Sequence, residues 1–440
     1  MLDPVFMVWD GLPVAAQDAL LFVLLLLPAV LVGLLVVLGF RPMTLVRAMM
    51  WRFKWTNLLF IALIAVSVGI GVGLIAQERG LRQGTARAAD KFDLVVSAPG
   101  SEITMLFAAV YLQPSDVPLL TGAQYNAIAN AENVALAAPI AFGDSYRSAP
   151  VVGTTADFVL HMTDELADGR LFEVHTDAVI GANVALALGD RFSPAHGVAG
   201  AADDSAHAHF EYEVVGRMQP TGSPWDKAIL VPVEAVWEVH GLPNGHAPDD
   251  AGRIGPPFLA EQFPGTPAVL VRAEELWANY ALRSQFTTDE TMAFFPGAVL
   301  ASLHGLMGDV REVMSVMAIV TQVLVTAGVL AGLVILTRLF ARRLALLRAL
   351  GAPRRFVFSV IWSYASVLIG SGAVLGIVVG LAATEAISRI VTARTDILVR
   401  SSLGWPELHL VAAFVSVTVV LALTPAFIAL SRPVVTDLRG

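Results

Sequence analysis

Three histidines crowd one short stretch of this chain: His196, His207 and His209, with Asp203 and Asp204 between them. Imidazole and carboxylate together hold first-row metals such as zinc. The spacing H-x10-H-x-H, however, matches no established ligand set. The surrounding Gly197–Ser205 is small and acidic, which is the composition of a surface loop. The three histidines are read as surface residues, and no resident metal is expected. Nucleophile chemistry is missing as well, because the chain has no G-x-S-x-G, no H-E-x-x-H and no cysteine. Its only lysines, Lys54, Lys91 and Lys227, precede Trp55, Phe92 and Ala228. None therefore forms the Gly-Lys-Ser/Thr of a P-loop, which cradles phosphates. No catalytic residue and no cofactor are expected in this chain.

The residues left with a task are cations. Arg338, Arg342, Arg343, Arg348, Arg354 and Arg355 stand together with no acid among them, around the segment LALLRALGAPRR, Leu344–Arg355. Leu347 and Leu350 lie one helical turn apart, and Gly351 suits the end of a helix, where positive φ is needed. A basic helix and turn of this kind, held between two membrane spans, presses on a soluble partner and passes movement into the bilayer.

The elements that hold it are apolar. Of 440 residues 56% are hydrophobic and 15% charged, and the mean hydropathy is +0.69. That composition belongs in a membrane. Runs at Leu20–Phe40, Leu58–Ala76, Val313–Thr337, Phe356–Thr384 and Leu410–Leu430 are each near or above the ~20 residues needed to span hydrocarbon. Five spans are expected. Arg41, Arg47, Arg52 and Lys54 follow the first, the six arginines follow the third, and Arg432 and Arg439 follow the fifth, with Asp437 the only acid among them. By the positive-inside rule these loops are cytoplasmic, so the N-terminus lies outside and the C-terminus inside. Asp3, Asp10 and Asp18 precede the first span where a signal peptide carries cations, which makes it a retained span. The net charge of −9 then sits almost wholly outside, and nucleic acid is excluded as a partner.

The fold class expected is a membrane α-helical protein with about five transmembrane helices and a large α+β extracytoplasmic domain. Residues 1–40 hold the first span. Residues 41–76 hold an interfacial helix, PMTLVRAMMWRFKW, and span two. Residues 77–312 form the external domain with helical stalks and an inserted β-rich lobe at about 150–257. Residues 313–440 carry spans three to five and the cytoplasmic coupling loop 338–355. Within the external part, strand patterns fall at Phe92–Ala98, Ala149–Gly153, Ala178–Ile180, Tyr212–Arg217 and Ala228–Val231, and helical ones at Thr121–Ala131 and Glu274–Phe286. Without cysteine this domain relies on its own apolar core. Ser67, Gly69, Gly71 and Gly73 in span two allow close helix approach. No span core contains an ionisable residue, and Gln322 is the one intramembrane amide, which argues against a polar conduction path. Glu385 and Arg389 form an i,i+4 pair in solvent.

LALLRALGAPRRFVFSVIW after span three, the large outside domain between two membrane-entering helices and PAFIALSRPVVTDLR at the C-terminus resemble the FtsX-like, MacB-type permeases of ABC transporters, the class that includes the lipoprotein-releasing permeases. DLVVSAPGS at Asp93–Ser101 and SPWDKAILVPVEAVWEVHG at Ser223–Gly241 resemble the family too, and the likeness runs from Arg47 to Arg439. Its members have four spans and cytoplasmic N-termini, so the first span here is an addition. The resemblance implies a permease of the bacterial inner membrane, multi-pass, working with a second copy of itself and with a separate cytoplasmic ABC ATPase that binds ATP and Mg. The ATPase contact would fall on Arg343, Leu347, Arg348, Leu350, Gly351, Arg354 and Arg355. Cargo, a periplasmic or lipoprotein partner and membrane lipids are the remaining contacts it implies. Two alternatives stand beside mechanical work on cargo: a translocator of small amphiphiles, and a regulatory scaffold that activates a periplasmic partner and is linked to metal.

Overall fold

The computed structural model describes residues 9, 11–113, 115–196, 210–306, 308–395, 397–400 and 402–431. The chain divides into two compact units. The first comprises Met1–Gly80, Asp309–Arg389 and Arg400–Gly440, and the second Leu81–Gly308 and Ile390–Val399. Among the described residues, four helices are by length and composition able to cross a membrane: Val14–Val37, Lys54–Ala89, Arg354–Thr395 and Trp405–Leu430.

The first unit opens with α1, Val14–Val37, which is apolar all round. Ala29, Val32, Val36 and Val37 lean on the unit's core, as a helix does when the rest of its surface faces lipid. The stretch expected to hold an interfacial helix contains α2, Met43–Arg52, with Val46 buried. Phe53 ends it, and α3 then runs unbroken from Lys54 to Ala89. Lys54 lies 5.9 Å from the Trp51 ring and 5.6 Å from the Trp55 ring. That mixture of cation and aromatic suits the boundary between headgroups and water.

The second unit is built on one mixed sheet. Its strands are β1 Leu94–Ser97, β2 Val134–Tyr146, β3 Ala149–Thr154, β4 Leu166–Gly169, β5 Asp177–Ile180, β6 Arg191–Phe192, β7 Ala195–His196, β8 Tyr212–Met218, β9 Ile229–Pro232, β10 Ala268–Ala273 and β11 Met292–Phe294. The main order is β11-β1-β10-β2-β3-β9-β5-β8-β4, with β6 on β8 and β7 on β2. The pairs β3–β9 and β5–β8 are parallel, and the others antiparallel. The β-rich lobe expected at about 150–257 shares a sheet with the rest of the unit. β2 pairs with β10 through its first half and with β3 through its second, so the lobe's strands extend the same sheet. Both faces are covered. Val95 and Leu270 point into one core, while Leu94, Val96, Val269 and Val271 point into the other. This follows from the two-residue period of a strand and explains why these strands read as unbroken apolar runs.

Helices α4 Glu102–Ala109, α5 Gly122–Ala129, α6 Ala156–Thr163, α7 Val233–Val239, α8 Ala278–Phe286 and α9 Pro296–Leu306 belong to the second unit. Thr121 and Gln124 close a capping box on α5. At the centre Trp225 packs on Phe158 at 4.9 Å and Phe92 at 5.9 Å, and its Nε1 donates to Val110 O at 3.2 Å. The next residue, Asp226, accepts from the Thr221 and Gly222 amides at 2.7 and 2.8 Å, which ties the turn before it. The SPWDK motif is thus a packed turn with no reactive group free in it.

The chain then returns to the first unit. It continues with α10 Gly308–Ala349, α11 Arg354–Thr395, α12 Trp405–Leu421 and α13 Leu423–Ser431. The expected third span, Val313–Thr337, lies within α10, whose apolar run Ile319–Ile335 is the shorter one. Pro425 cannot donate to Leu421 O and its ring crowds that carbonyl, which accounts for the break between α12 and α13. α1 packs along α12, with His409 Nε2 2.9 Å from Asp18 O.

Candidate functional site

The segment Leu344–Arg355 is the end of one helix, a tight turn and the start of the next. Gly351 has φ +96°. Its amide donates to Arg348 O at 3.1 Å, and the Ala352 amide donates to Leu347 O at 3.0 Å. This pair of bonds is the Schellman cap, in which glycine takes the left-handed position. Pro353 follows and starts α11, since its carbonyl accepts from Phe356 and Val357. The turn is therefore closed by backbone bonds and has a defined shape.

Side chains divide over this scaffold by the helical period. Leu344 and Ala345 are buried in the first unit's core, and Leu347 packs partly against it. Leu350 is 85% exposed, and Leu346, one turn before it, is 50% exposed. The exposed apolar pair is thus Leu346 and Leu350, while Leu347 anchors the helix from inside. Arg343 lies 5.3 Å from the Phe53 ring, which itself packs on Phe340 at 4.8 Å. Arg342, Arg354 and Arg355 are exposed, and Arg348 is half-buried. The segment thus exposes two leucines and several guanidinium groups, a combination that suits an acidic protein partner.

Behind this turn, α3 and α11 meet along a stripe of small residues. Gly372, Gly376, Gly380, Thr384 and Ser388 recur every four residues and are buried. An ideal Cβ at Gly380 would lie 2.8 Å from Gly69 O, and one at Gly376 2.6 Å from Val68 Cβ. Such spacing lets two backbones touch within a bilayer, where apolar side chains alone give no drive to associate. Gln322 Nε2 donates to Ser67 O at 3.3 Å, so the intramembrane amide serves as a helix tie.

One ion pair was not visible in the apolar pattern. At the start of α12, Arg79 Nη1 lies 2.8 Å from Glu407 Oε2, which also accepts from the Gly404 amide at 2.9 Å. Glu407 is fully buried. A desolvated carboxylate needs both partners, and together they fasten α3 to the first turn of α12. The pair Glu385–Arg389, at 2.8 Å, lies on the exposed side of α11 as expected.

Described histidines of the second unit are held by hydrogen bonds. His161 Nε2 lies 2.6 Å from Lys91 O, His304 Nε2 3.2 Å from Thr85 Oγ1, and His175 bridges Glu238 and Arg253 O. His246 Nε2 meets Glu234 Oε1 at 3.3 Å inside the domain. Burial pushes the Glu234 carboxyl above its usual range, against the bonds it accepts from the Gly255 amide and from His246. Among the described residues no three His, Asp or Glu side chains form a metal cage. His207 and His209 lie outside the described residues. His196 is in β7, opposite Asp144 of β2.

No protein-family model and no curated protein matches the chain. Solved structures similar to it include two domains of ABC-type transporters. One is the periplasmic region of MacB from Actinobacillus actinomycetemcomitans, at 11% identity and TM-score 0.31, covering 50% of this chain and 95% of that one. The other is the extracellular domain of the noncanonic ABC-type transporter YknZ from Gram-positive bacteria, at 12% identity and TM-score 0.28, covering 46% and 98%. With likeness this low, the functional reading rests on the chain's own residues.

Proposed function

We infer that this chain is the transmembrane permease subunit of an ABC transporter, driven by a separate cytoplasmic ATPase that docks on Leu344–Arg355. The observation that carries the reading is the capped turn at Gly351 at the junction of two long helices, which leaves Leu346 and Leu350 exposed on a segment that also exposes Arg342, Arg354 and Arg355. A solvent-facing leucine pair is costly to leave uncovered, and a rigid turn loses little entropy when a partner covers it. Motion is the product of such docking. In this reading ATP and Mg belong to the partner, in keeping with the lack of a Gly-Lys-Ser/Thr in this sequence, and the apolar spans favour mechanical transmission over conduction. In this reading Val313–Thr337 is a fifth span, the second unit works outside the membrane on cargo, and a second copy completes the transporter.

The test is recovery of the ATPase with the full-length permease in detergent. Leu350→Asp and the double variant Leu346→Ser, Leu350→Ser are expected to lower recovery at least tenfold while insertion stays normal, since burying an unpaired charge or losing an apolar anchor costs ~2 kcal/mol or more. Leu347→Ala should instead lower stability of the permease, because that side chain faces inward. Undiminished recovery with both surface variants places the ATPase elsewhere.

A further inference from the structure

The junction of α2 and α3 gathers cations in a part of the chain that holds no acid. The sequence has no Asp or Glu between Asp18 and Glu78, nor between Glu312 and Glu385. Arg41, Arg47, Arg52 and Lys54 all fall in the first of these stretches, and all four are exposed. Phe53 separates α2 from α3, so Arg52 and Lys54 bracket the break between the two helices. The Phe53 side chain packs partly against the first unit's core, and exposed Arg343 of α10 lies 5.3 Å from its ring. One aromatic side chain thus brings a cation from α10 to the place where α2 gives way to α3.

Two tryptophans indicate what such a charge meets. Trp51 and Trp55 are 79% and 75% exposed, and Lys54 Nζ lies 5.9 and 5.6 Å from their rings. An indole has an apolar body and one N–H donor, which suits the headgroup level of a bilayer better than open water. The depth agrees with this. Leu58 opens the apolar run of α3 four residues after Lys54, a rise of about 6 Å along the helix. With α3 across a membrane, the Lys54 ammonium lies just outside the hydrocarbon. It carries three N–H donors, and the indole faces beside it hold no carboxylate oxygen to take them. Cations next to a membrane helix attract anionic headgroups. An acidic protein surface would complement the same charges, but two exposed indoles one turn from an apolar span favour lipid.

We propose that the α2–α3 junction binds one anionic phospholipid, its headgroup phosphate on Arg52 and Lys54 with Arg343 adding charge, and its acyl chains beside Trp51 and Trp55. The proposal rests on the reading of α3 as a membrane span and is independent of ATPase docking at Leu344–Arg355, so either can fail without the other.

The experiment uses the full-length chain in neutral detergent, with phosphatidylglycerol and phosphatidylcholine of identical acyl chains added in equal amounts and the bound lipids counted by native mass spectrometry. The first phosphatidylglycerol is expected to bind at least tenfold more tightly than phosphatidylcholine. The double variant Arg52→Gln, Lys54→Gln should bring the two lipids within about threefold of each other. Arg253→Gln with Arg283→Gln removes the same charge from the second unit and should keep the preference. Glycerol 3-phosphate, which has the charge without the chains, should not compete at equal concentration. Equal affinity for the two lipids in the wild-type chain, which needs no variant to fold, overturns the proposal and leaves these cations to an acidic protein surface. An unchanged preference in the Arg52, Lys54 variant overturns it as well, and so does full competition by glycerol 3-phosphate, which would make the ligand a free phosphate.

Discussion

Replacing Gly376 by alanine is expected to loosen α3 from α11, although alanine is the better helix former. The added Cβ would stand 2.6 Å from Val68 Cβ, 2.8 Å from Val68 Cγ1 and 3.0 Å from Ala65 O. Relaxed carbon contacts are roughly 3.5–4.0 Å, so α3 must retreat by about 1 Å. A gap of that size forfeits about a quarter to a half of each dispersion contact along the seam. Overfilled cores lose about 1–3 kcal/mol, and the propensity gain of glycine to alanine returns at most about 1. The net expectation is a loss of roughly 1–2 kcal/mol. The same helix supplies the control, since an ideal Cβ on Gly370 meets nothing within 4 Å. Both variants would be unfolded in mixed micelles of rising dodecyl sulfate fraction and followed by tryptophan fluorescence. Gly370→Ala should match or exceed the wild-type chain and Gly376→Ala should fall below it. Equal stability of the two variants would refute the close-packed seam.

Two further outcomes are expected. Single cysteines at Gln17 and Asp249 should react with an impermeant maleimide in whole spheroplasts, and one at Ala352 only after permeabilisation; labelling of Ala352 from outside inverts the topology. The Glu234 carboxyl titrates above its usual range when folded, because burial penalises its charged form, so the folded chain holds that proton more tightly than the unfolded one. Its ionised form then costs stability as pH rises from about 4.3, the unfolded value, through the folded pKa. Glu234→Gln should remove that loss and raise the melting temperature of the full chain at pH 8 relative to pH 5; an unchanged pH profile would show that His246 already compensates the charge.

The long helices were legible because hydropathy over twenty residues is a strong signal, and Gly351 because a helix that must stop before Ala352–Pro353 calls for a left-handed cap. Other features depended on contacts that no local pattern carries. β10 lies between β1 and β2 in the sheet, yet AVLVRA lacks alternation because both of its faces are covered, and it went unread. The pairing of β3 with β9 lies within the expected lobe, and it is β2, bonded to β10 by its first half and to β3 by its second, that carries the lobe's strands into the main sheet. Glu407 fell outside the fifth span as drawn from Leu410, but its bond to the Gly404 amide starts α12 at Trp405 and brings the acid inside the helix. Leu347 and Leu350 share a helical turn in sequence. Only the packed helix shows that Leu347 turns inward and that Leu346 is the residue exposed beside Leu350.

The stretch between the fourth and fifth spans changes how force would travel in a permease of this design. Ile390–Val399 belongs to the second unit together with Leu81–Gly308. Ile397 and Val399 are buried in that unit's core, the Leu398 amide donates to Gly222 O at 3.2 Å, and Lys227 Nζ reaches Ala393 O at 3.3 Å. α11 is one unbroken helix of 42 residues from Arg354 to Thr395, about 63 Å long at 1.5 Å per residue. α10, also 42 residues, begins at Gly308, the last residue of the external unit in that stretch of chain. The capped turn at Gly351 is therefore the point where two such helices meet, each continuous in sequence with the external unit. In the permease proposed above, a push on that turn would act on two long helices at once. The glycine stripe lets α11 lie close against α3 without large side chains interlocked between them. Rigidity along the helices with little interlocking between them is what mechanical transmission requires, and a conduction path requires neither.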